Sequence, residues 1–276
     1  VNGLPGAVIY STLALGLAIF LGVLRVVNFA QGDFATLGGY AITVATTAGF
    51  SLYVGVLVGL VVGAAVGVAF YVLLISPLQK APEINQLLAT YGLAIFIQGL
   101  LQWKFTASPR VITLSGASLK IGPVYMSRAT LIDVVMAATL VTLLFLVLER
   151  TQMGRAVRAV AQNPTGATLI GIDSRRVFLF VCGVAGALST AAGYVLVTTF
   201  ALTPTVGFEQ ILTSFTIVIV AGLGNLYRLL FLGFGLAFAQ SWVTYLYNDT
   251  AALLAVYGLI VAMLLIRPTG LGSRAH

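Results

Sequence analysis

The chain has 276 residues, 60% of them hydrophobic and 8% charged, with a mean hydropathy of +1.08 and a formal net charge of +7. A chain this apolar cannot cover a soluble surface. A polytopic membrane protein is therefore expected, and the positive charge fits basic loops facing anionic lipid better than a nucleic-acid partner. A single cysteine, Cys182, and a single histidine, the terminal His276, leave no intrachain disulfide and no internal zinc site.

Apolar runs of about 20 residues, the length of a membrane-crossing helix, fill most of the sequence. Stretches such as Leu140–Leu148 lack the alternation of a barrel strand. A first span is predicted over Pro5–Leu24. It gives way to RVVNFAQGDFATLGG, where Asn28, Gln31 and Asp33 crowd between two apolar segments and Gly32 interrupts the pattern. Unpaired polar groups are costly at membrane depth, so two readings stand: a broken helix lining the path of a solute, or a cytoplasmic turn in which Asp33 caps the next helix.

The second span is predicted over Asp33–Ala48, and the third runs from Gly49 to near Ser76. Within the third, Gly55, Gly59, Gly63 and Gly67 recur every four residues, a stripe that lets another backbone approach and reads as a packing surface. A polar connection with Lys80 and Glu83 leads to a fourth span, Gln86–Trp103, whose Thr90 and Gln98 join Asn28, Gln31 and Asp33 as candidates for the solute path. Residues 104–128 turn to Ser, Pro and Gly, predicting an external loop with a small hairpin. The fifth span, Ala129–Leu148, carries Asp133 near its outer end, expected to be hydrated or capping rather than a proton carrier.

The window from Glu149 to Arg176 is a polar island holding Arg150, Arg155, Arg158, Arg175 and Arg176, five of the chain's 14 basic residues. Its charge predicts a cytoplasmic loop. Gly154–Gln162 has helical spacing, with Arg155, Arg158 and Gln162 on one side and Val157, Val160 and Ala161 on the other. Pro164 ends it after Asn163, and a second turn over Thr165–Ile170 stops at Gly171. Ordering two short helices costs entropy that a plain connection avoids, so the loop is expected to dock a partner; the competing reading is that its arginines only rest on anionic lipid.

Asp173 is placed to cap a sixth span, Val177–Phe200, sprinkled with Gly183, Gly186, Ser189, Thr190 and Gly193. A short external connection follows, with Glu209 in the first turn of a short seventh helix, Gln210–Gly222. Gly224–Arg228 turns on the inner side, Leu229–Tyr247 forms an eighth span, and Asn248–Thr250 caps a last one ending at Pro268. With nine segments and the N-terminus outside, Arg25, Lys80, the five loop arginines, Arg228, Arg267 and Arg274 lie inside, against Lys104, Arg110, Lys120 and Arg128 outside. The second or the seventh segment can instead be re-entrant.

No Ser/His/Asp set and no phosphate-binding G-x-x-x-x-G-K-[ST] loop is present, so neither hydrolysis by a catalytic triad nor ATP cleavage by this chain alone is expected. Asp33, Asp133 and Glu209 all fall near helix ends, a poor arrangement for carrying a coupling ion. What remains is a passive or externally driven pathway plus a docking loop.

Taken in order, VLRVVNFAQGD (23–33), SPLQKAP (76–82), ATYGL (89–93), the window Glu149–Ile172, Gly207–Glu209, GLG (222–224) and RPTGL (267–271) resemble the LivH-type permease of branched-chain amino acid ABC importers, over nearly the whole chain. The resemblance implies an all-α, polytopic transmembrane bundle of about eight to nine segments with a type II-like importer fold. It implies one permease domain over 1–276, with an external loop at 104–128 and a coupling loop at 149–176. By the same resemblance, Gly154–Gly171 forms coupling helices seated in a cytoplasmic ATPase subunit. Arg155, Arg158 and Gln162 would make polar contacts there, Ala156 and Ala159 would allow close approach, and Gly154, Asn163, Gly166 and Gly171 would shape the dock. The implied partners are two ATPase subunits carrying ATP and magnesium (no cofactor belonging to this chain), a second copy or a LivM-like permease, and a periplasmic solute-binding protein. The implied place is a bacterial inner membrane, N-terminus outside and C-terminus cytoplasmic.

Two departures stand out: Gln31 occupies a position where the family often has histidine, and Leu226, Tyr227 and Arg228 replace a small Pro/Gly turn. Relatives also carry urea and short amides, and the neutral Asn28, Gln31 and Gln98 leave that option open. The alternative is a stand-alone channel or ion-coupled carrier for a small polar solute, which would work without ATP. A subunit with no path of its own is the third reading.

Overall fold

The computed structural model describes residues 3–113, 119–121, 124–222 and 226–266. Residues 223–225, where a turn is expected, and 267–276, which include Arg267, Arg274 and His276, lie outside the described residues. The helices are α1 (Gly3–Leu24), α2 (Gln31–Thr47), α3 (Leu52–Phe70), α4 (Glu83–Phe105), α5 (Arg128–Arg150), α6 (Gln152–Gln162), α7 (Pro164–Leu169), α8 (Ser174–Thr198), α9 (Val206–Ala221), α10 (Leu226–Leu246) and α11 (Asp249–Ile266). A two-stranded antiparallel hairpin, β1 (Leu119–Ile121) with β2 (Val124–Met126), pairs Leu119 with Met126 and Ile121 with Val124. Among the described residues six helices are long and apolar enough to cross a membrane: α1, α3, α4, α5, α8 and α10.

Side-chain caps set several helix starts. Ser51 accepts from the Val54 N–H at 3.5 Å, Ser127 from Thr130 at 3.1 Å, and Asp173 from Arg175 at 3.0 Å. Some boundaries move from their expected places. The third helix continues past Ser76 through a π-helical turn, Tyr71–Ile75, to Leu78, and Pro164 opens α7 as its first residue besides ending α6.

The bundle is built around α1 and α8, each 83% buried over its apolar window, while α4, α5 and α10 expose most of theirs. Core and exterior are equally apolar in these helices, so the buried face is marked by small residues. In α3 the buried positions are Gly55, Gly59, Gly63, Gly67 and Phe70. A Cβ on Gly63 would lie 2.6 Å from the Gly186 carbonyl oxygen, and one on Gly67 would lie 2.0 Å from that of Cys182, so α3 and α8 touch backbone to backbone. The Thr190 hydroxyl bridges the same seam, 3.2 Å from the Gly59 carbonyl. On the other side of α8, Gly193 faces Ala35 and Gly39 of α2.

The segment after α4 is pinned onto the α8–α9 connection. Arg110 and Leu202 exchange backbone hydrogen bonds of 3.0 and 2.9 Å, and the Ile112 N–H donates to Val197 at 2.7 Å. Asp133 is neither hydrated nor a cap: it is fully buried and accepts from the Thr198 and Thr199 hydroxyls at 3.2 and 2.8 Å. Burial against α8 desolvated the carboxylate, and the two hydroxyls replaced its water.

The packing gives a direct test. Gly67→Ala should force α3 from α8 and lower stability by about 1–3 kcal/mol, read as a lower unfolding midpoint in detergent, whereas Gly258→Ala, whose new Cβ meets nothing within 4 Å, should leave it unchanged or raise it slightly.

Candidate functional site

The helix break after α1 is the most polar place in the interior. Arg25 takes a left-handed conformation (φ 58°), and the chain runs without helix to Ala30 before α2 begins at Gln31. Gln31 lies against Gly16, in the middle of α1, so α2 starts deep in the bundle rather than at its edge. Backbone freed there has no water to turn to and is held by side chains. The Asn28 carbonyl oxygen accepts from the Ala30 N–H at 3.0 Å, and its amide donates to Gln31 at 3.1 Å. The Gln31 amide in turn donates to the Ala185 carbonyl at 3.0 Å and to the Ser189 hydroxyl at 2.7 Å. From α4, the Thr90 hydroxyl lies 3.1 Å from the Val27 carbonyl and accepts from the Phe29 N–H at 3.4 Å.

The α2 start meets a second helix start. Gly207, in the first turn of α9, packs on Gly32 so closely that a Cβ on either would lie 2.0–2.2 Å from the other's carbonyl oxygen. Two short helices thus begin side by side inside the bundle. Next to Gly32, Asp33 is fully buried, with one carboxylate oxygen accepting from the Gln98 amide at 3.1 Å and the other, Oδ2, meeting no partner among the described residues. Asp33 therefore caps nothing, against the reading in which it caps the next helix: Ala30 holds the cap position, and the side chain that folds over the break is Asn28. A row of rings borders this polar seam. Phe29 stacks on Phe215 at 5.3 Å and meets Tyr91 edge-on at 6.2 Å, and Tyr91 meets Phe208 at 6.0 Å.

All five residues singled out as pathway candidates, Asn28, Gln31, Asp33, Thr90 and Gln98, come together at this junction. Sequence reasoning missed Ser189 and the aromatic border. Ser189 stood among small packing residues, and Phe29, Phe208 and Phe215 look like ordinary membrane-helix residues until the fold sets Phe29 and Phe208 beside Tyr91 and Phe215 on Phe29. Among the described residues no group of His, Cys, Asp and Glu could hold a metal ion. The arrangement provides acceptors, amides and ring faces for holding a small polar molecule, and no nucleophile paired with a base.

The second site is the loop made by α6 and α7. Thr151 caps α6 by accepting from the Gly154 N–H at 3.0 Å, and Gly154 is pressed against the end of α5, where a Cβ would lie 2.2 Å from the Leu148 carbonyl. Val157, Val160 and Ala167 are buried against the bundle, and Ala156 and Ala159 are half-buried beside them. Asn163 caps α7 by accepting from Gly166 at 2.9 Å, and Gly171, at φ 85°, supplies the left-handed exit. Arg158, itself exposed, donates to the Leu148 carbonyl, tying α6 to α5, and Arg155, Gln162, Leu169 and Ile170 are exposed as well. The two large apolar side chains at 83% and 75% exposure were not anticipated from the sequence, where they read only as the end of a second short turn.

Replacing the side chain that closes the break tests its role. Asn28→Ala leaves the buried Ala30 N–H without an acceptor and Gln31 without a donor, so stability should fall by about 1–3 kcal/mol, seen as a lower unfolding midpoint.

Comparison with known proteins finds a match over residues 1–266 to the family described as branched-chain amino acid transport system / permease component. The chain is 30% identical to the probable branched-chain amino acid transport permease protein LivH of Methanocaldococcus jannaschii, covering 97% of this chain and 91% of that one. It is 25% identical to the high-affinity branched-chain amino acid transport system permease protein BraD of Pseudomonas aeruginosa, covering 99% and 94%. Identity is also 25% to the corresponding permease protein LivH of Escherichia coli, with the same coverage.

Proposed function

Because this chain belongs to the branched-chain amino acid transport system / permease component family, we propose that it moves branched-chain amino acids across a bacterial inner membrane, using ATP hydrolysed on separate subunits. The observation that carries the substrate reading is Asp33, a buried carboxylate with one unpartnered oxygen in the first turn of α2, next in sequence to the Gly32–Gly207 contact. A zwitterion needs separated charge partners along its path. Asp33 Oδ2 is an acceptor for the ammonium group, and the N–H groups at the starts of α2 and α9 favour the carboxylate. The rings of Phe29, Tyr91 and Phe208 give the aliphatic side chain an apolar wall. A neutral amide or urea could donate a hydrogen bond to this oxygen but would bring no positive charge to balance it, which favours amino acids over those solutes.

The driving force enters through the loop at 149–176. Two cytoplasmic ATPase subunits, carrying ATP and magnesium, dock on this loop and on the equivalent loop of a second copy or a homologous permease, and a periplasmic binding protein delivers the solute. The exposed set Arg155, Gln162, Leu169 and Ile170 is the docking face, shaped by Asn163, Gly166 and Gly171. Gly154 and Arg158 fasten α6 to α5, so closure of the ATPases pulls the helix as a lever. Backbone contacts at Gly32–Gly207 and Gly63–Gly186 let the helices slide between two packed arrangements without moving side chains aside. On this reading the N-terminus lies outside and the C-terminus in the cytoplasm.

A charge-assisted hydrogen bond contributes about 1.5–3 kcal/mol, so in proteoliposomes holding the assembled transporter, Asp33→Asn is expected to lower leucine uptake at limiting concentration by about tenfold or more. Unchanged leucine uptake would remove Asp33 from the path. In parallel, Arg155→Glu with Leu169→Glu should release the ATPase subunits on copurification while the unfolding midpoint stays put. ATP-independent uptake by this chain alone would replace the importer reading with a channel or carrier.

A further inference from the structure

A cleft of about 880 Å³ opens at the end of the bundle that carries α6, between α1, α5, α6 and α10. Its floor is apolar, with Gly22, Val23, Phe145, Leu148, Val157 and Leu229 among the lining residues, and Gly22 faces open space, since a Cβ there would meet nothing within 4 Å. Charge sits among its lining residues too. Arg25 and Arg158 contribute two guanidinium groups, and Glu149 contributes one carboxylate that accepts from the Tyr227 hydroxyl at 3.1 Å. Arg158 spends part of its donor set on the Leu148 carbonyl, whereas the Arg25 side chain is exposed and pairs with no carboxylate among the described residues. Two of the walls, α5 and α10, bury only 22% and 17% of their apolar windows, so much of their apolar surface is not covered by this bundle.

We propose that this cleft binds one anionic phospholipid, with the phosphate at Arg25 and Arg158 and an acyl chain along Gly22, Phe145 and Leu229. The chemistry is that of a basic pocket between membrane helices: guanidinium groups pair with a phosphate in a fixed geometry, and an apolar floor of this size gains nothing from water. A polypeptide occupant is less suited. The sequence beyond α11 is itself basic, with Arg267 and Arg274, and would bring like charge to the two arginines. Since α6 forms one wall, an inserted lipid braces the docking loop against α1 and α10. The lipid site rests on the membrane placement of the helices and is independent of the solute carried.

The test is native mass spectrometry of the assembled transporter, purified in detergent and given phosphatidylglycerol or phosphatidylcholine. Phosphatidylglycerol adducts should survive on the wild type and fall several-fold in Arg25→Gln. They should vanish in Gly22→Phe, whose ring fills the open space, and remain in Gly235→Phe, which also has room for a side chain but lies away from the cleft. Equal retention of phosphatidylcholine, or wild-type adducts in Gly22→Phe, would overturn the proposal. If Gly22→Phe does not assemble, Arg25→Gln decides alone, being an exposed change. A photo-crosslinker at position 22 should label lipid; labelling of a polypeptide instead would mean that the cleft is a protein dock and would equally overturn it.

Discussion

Backbone groups freed inside a membrane bundle must find partners in the protein itself, and the break between α1 and α2 is where this chain meets that demand. Between Arg25 and Ala30 the helical ladder is interrupted; Asn28 and Thr90 bond backbone groups there, and Gln31 and Ser189 hold Asn28 in place. Once those side chains are committed, a polar seam is fixed in an otherwise apolar interior. Asp33 and Gln98 extend it, so residues that close the break adjoin those proposed to hold the solute.

Starting a helix in mid-bundle has a packing consequence. The first turns of α2 and α9 must come close enough to bury each other's N-termini, and only Gly32 against Gly207 permits that approach. The same device repeats along α3 and α8, where Gly63, Gly67 and Gly186 bring carbonyl oxygens to the facing backbone. Between lipid-like surfaces there is little hydrophobic gain from association, so close contact and a few bonds such as Thr190 to Gly59 supply the stabilisation. Interfaces of this sort have few side chains to unlock, which suits the proposed shift between two arrangements.

The loop at 149–176 follows a different logic. Its buried side, Val157, Val160 and Ala167, fixes it to the bundle, and its caps at Thr151, Asn163 and Asp173 fix its shape. A loop so held transmits displacement instead of absorbing it. Arg158 makes the point at a single residue: it points back to Leu148 and the cleft, and Arg155 is left as the arginine of α6 that faces outward without such a tie.

Composition and motif order by themselves determined that the chain is a helical membrane permease, because sixty per cent apolar residues admit no soluble fold and the motifs occur in one family's order. The helix break, the small-residue stripe of α3 and the two-helix loop were also legible, since each depends on residues near in sequence. The burial of Asp33 and Asp133 was not. A carboxylate near a helix end looks the same in sequence whether water or Gln98, Thr198 and Thr199 surround it, and those partners lie 65 or 66 residues away. Which faces point to lipid was equally hidden: with core and hydrocarbon equally apolar, no polar stripe marks the outside of α4, α5 or α10. Only the tertiary structure brought the ends of α1, α5, α6 and α10 together around one cleft, because its walls come from elements up to about two hundred residues apart and are joined by packing alone.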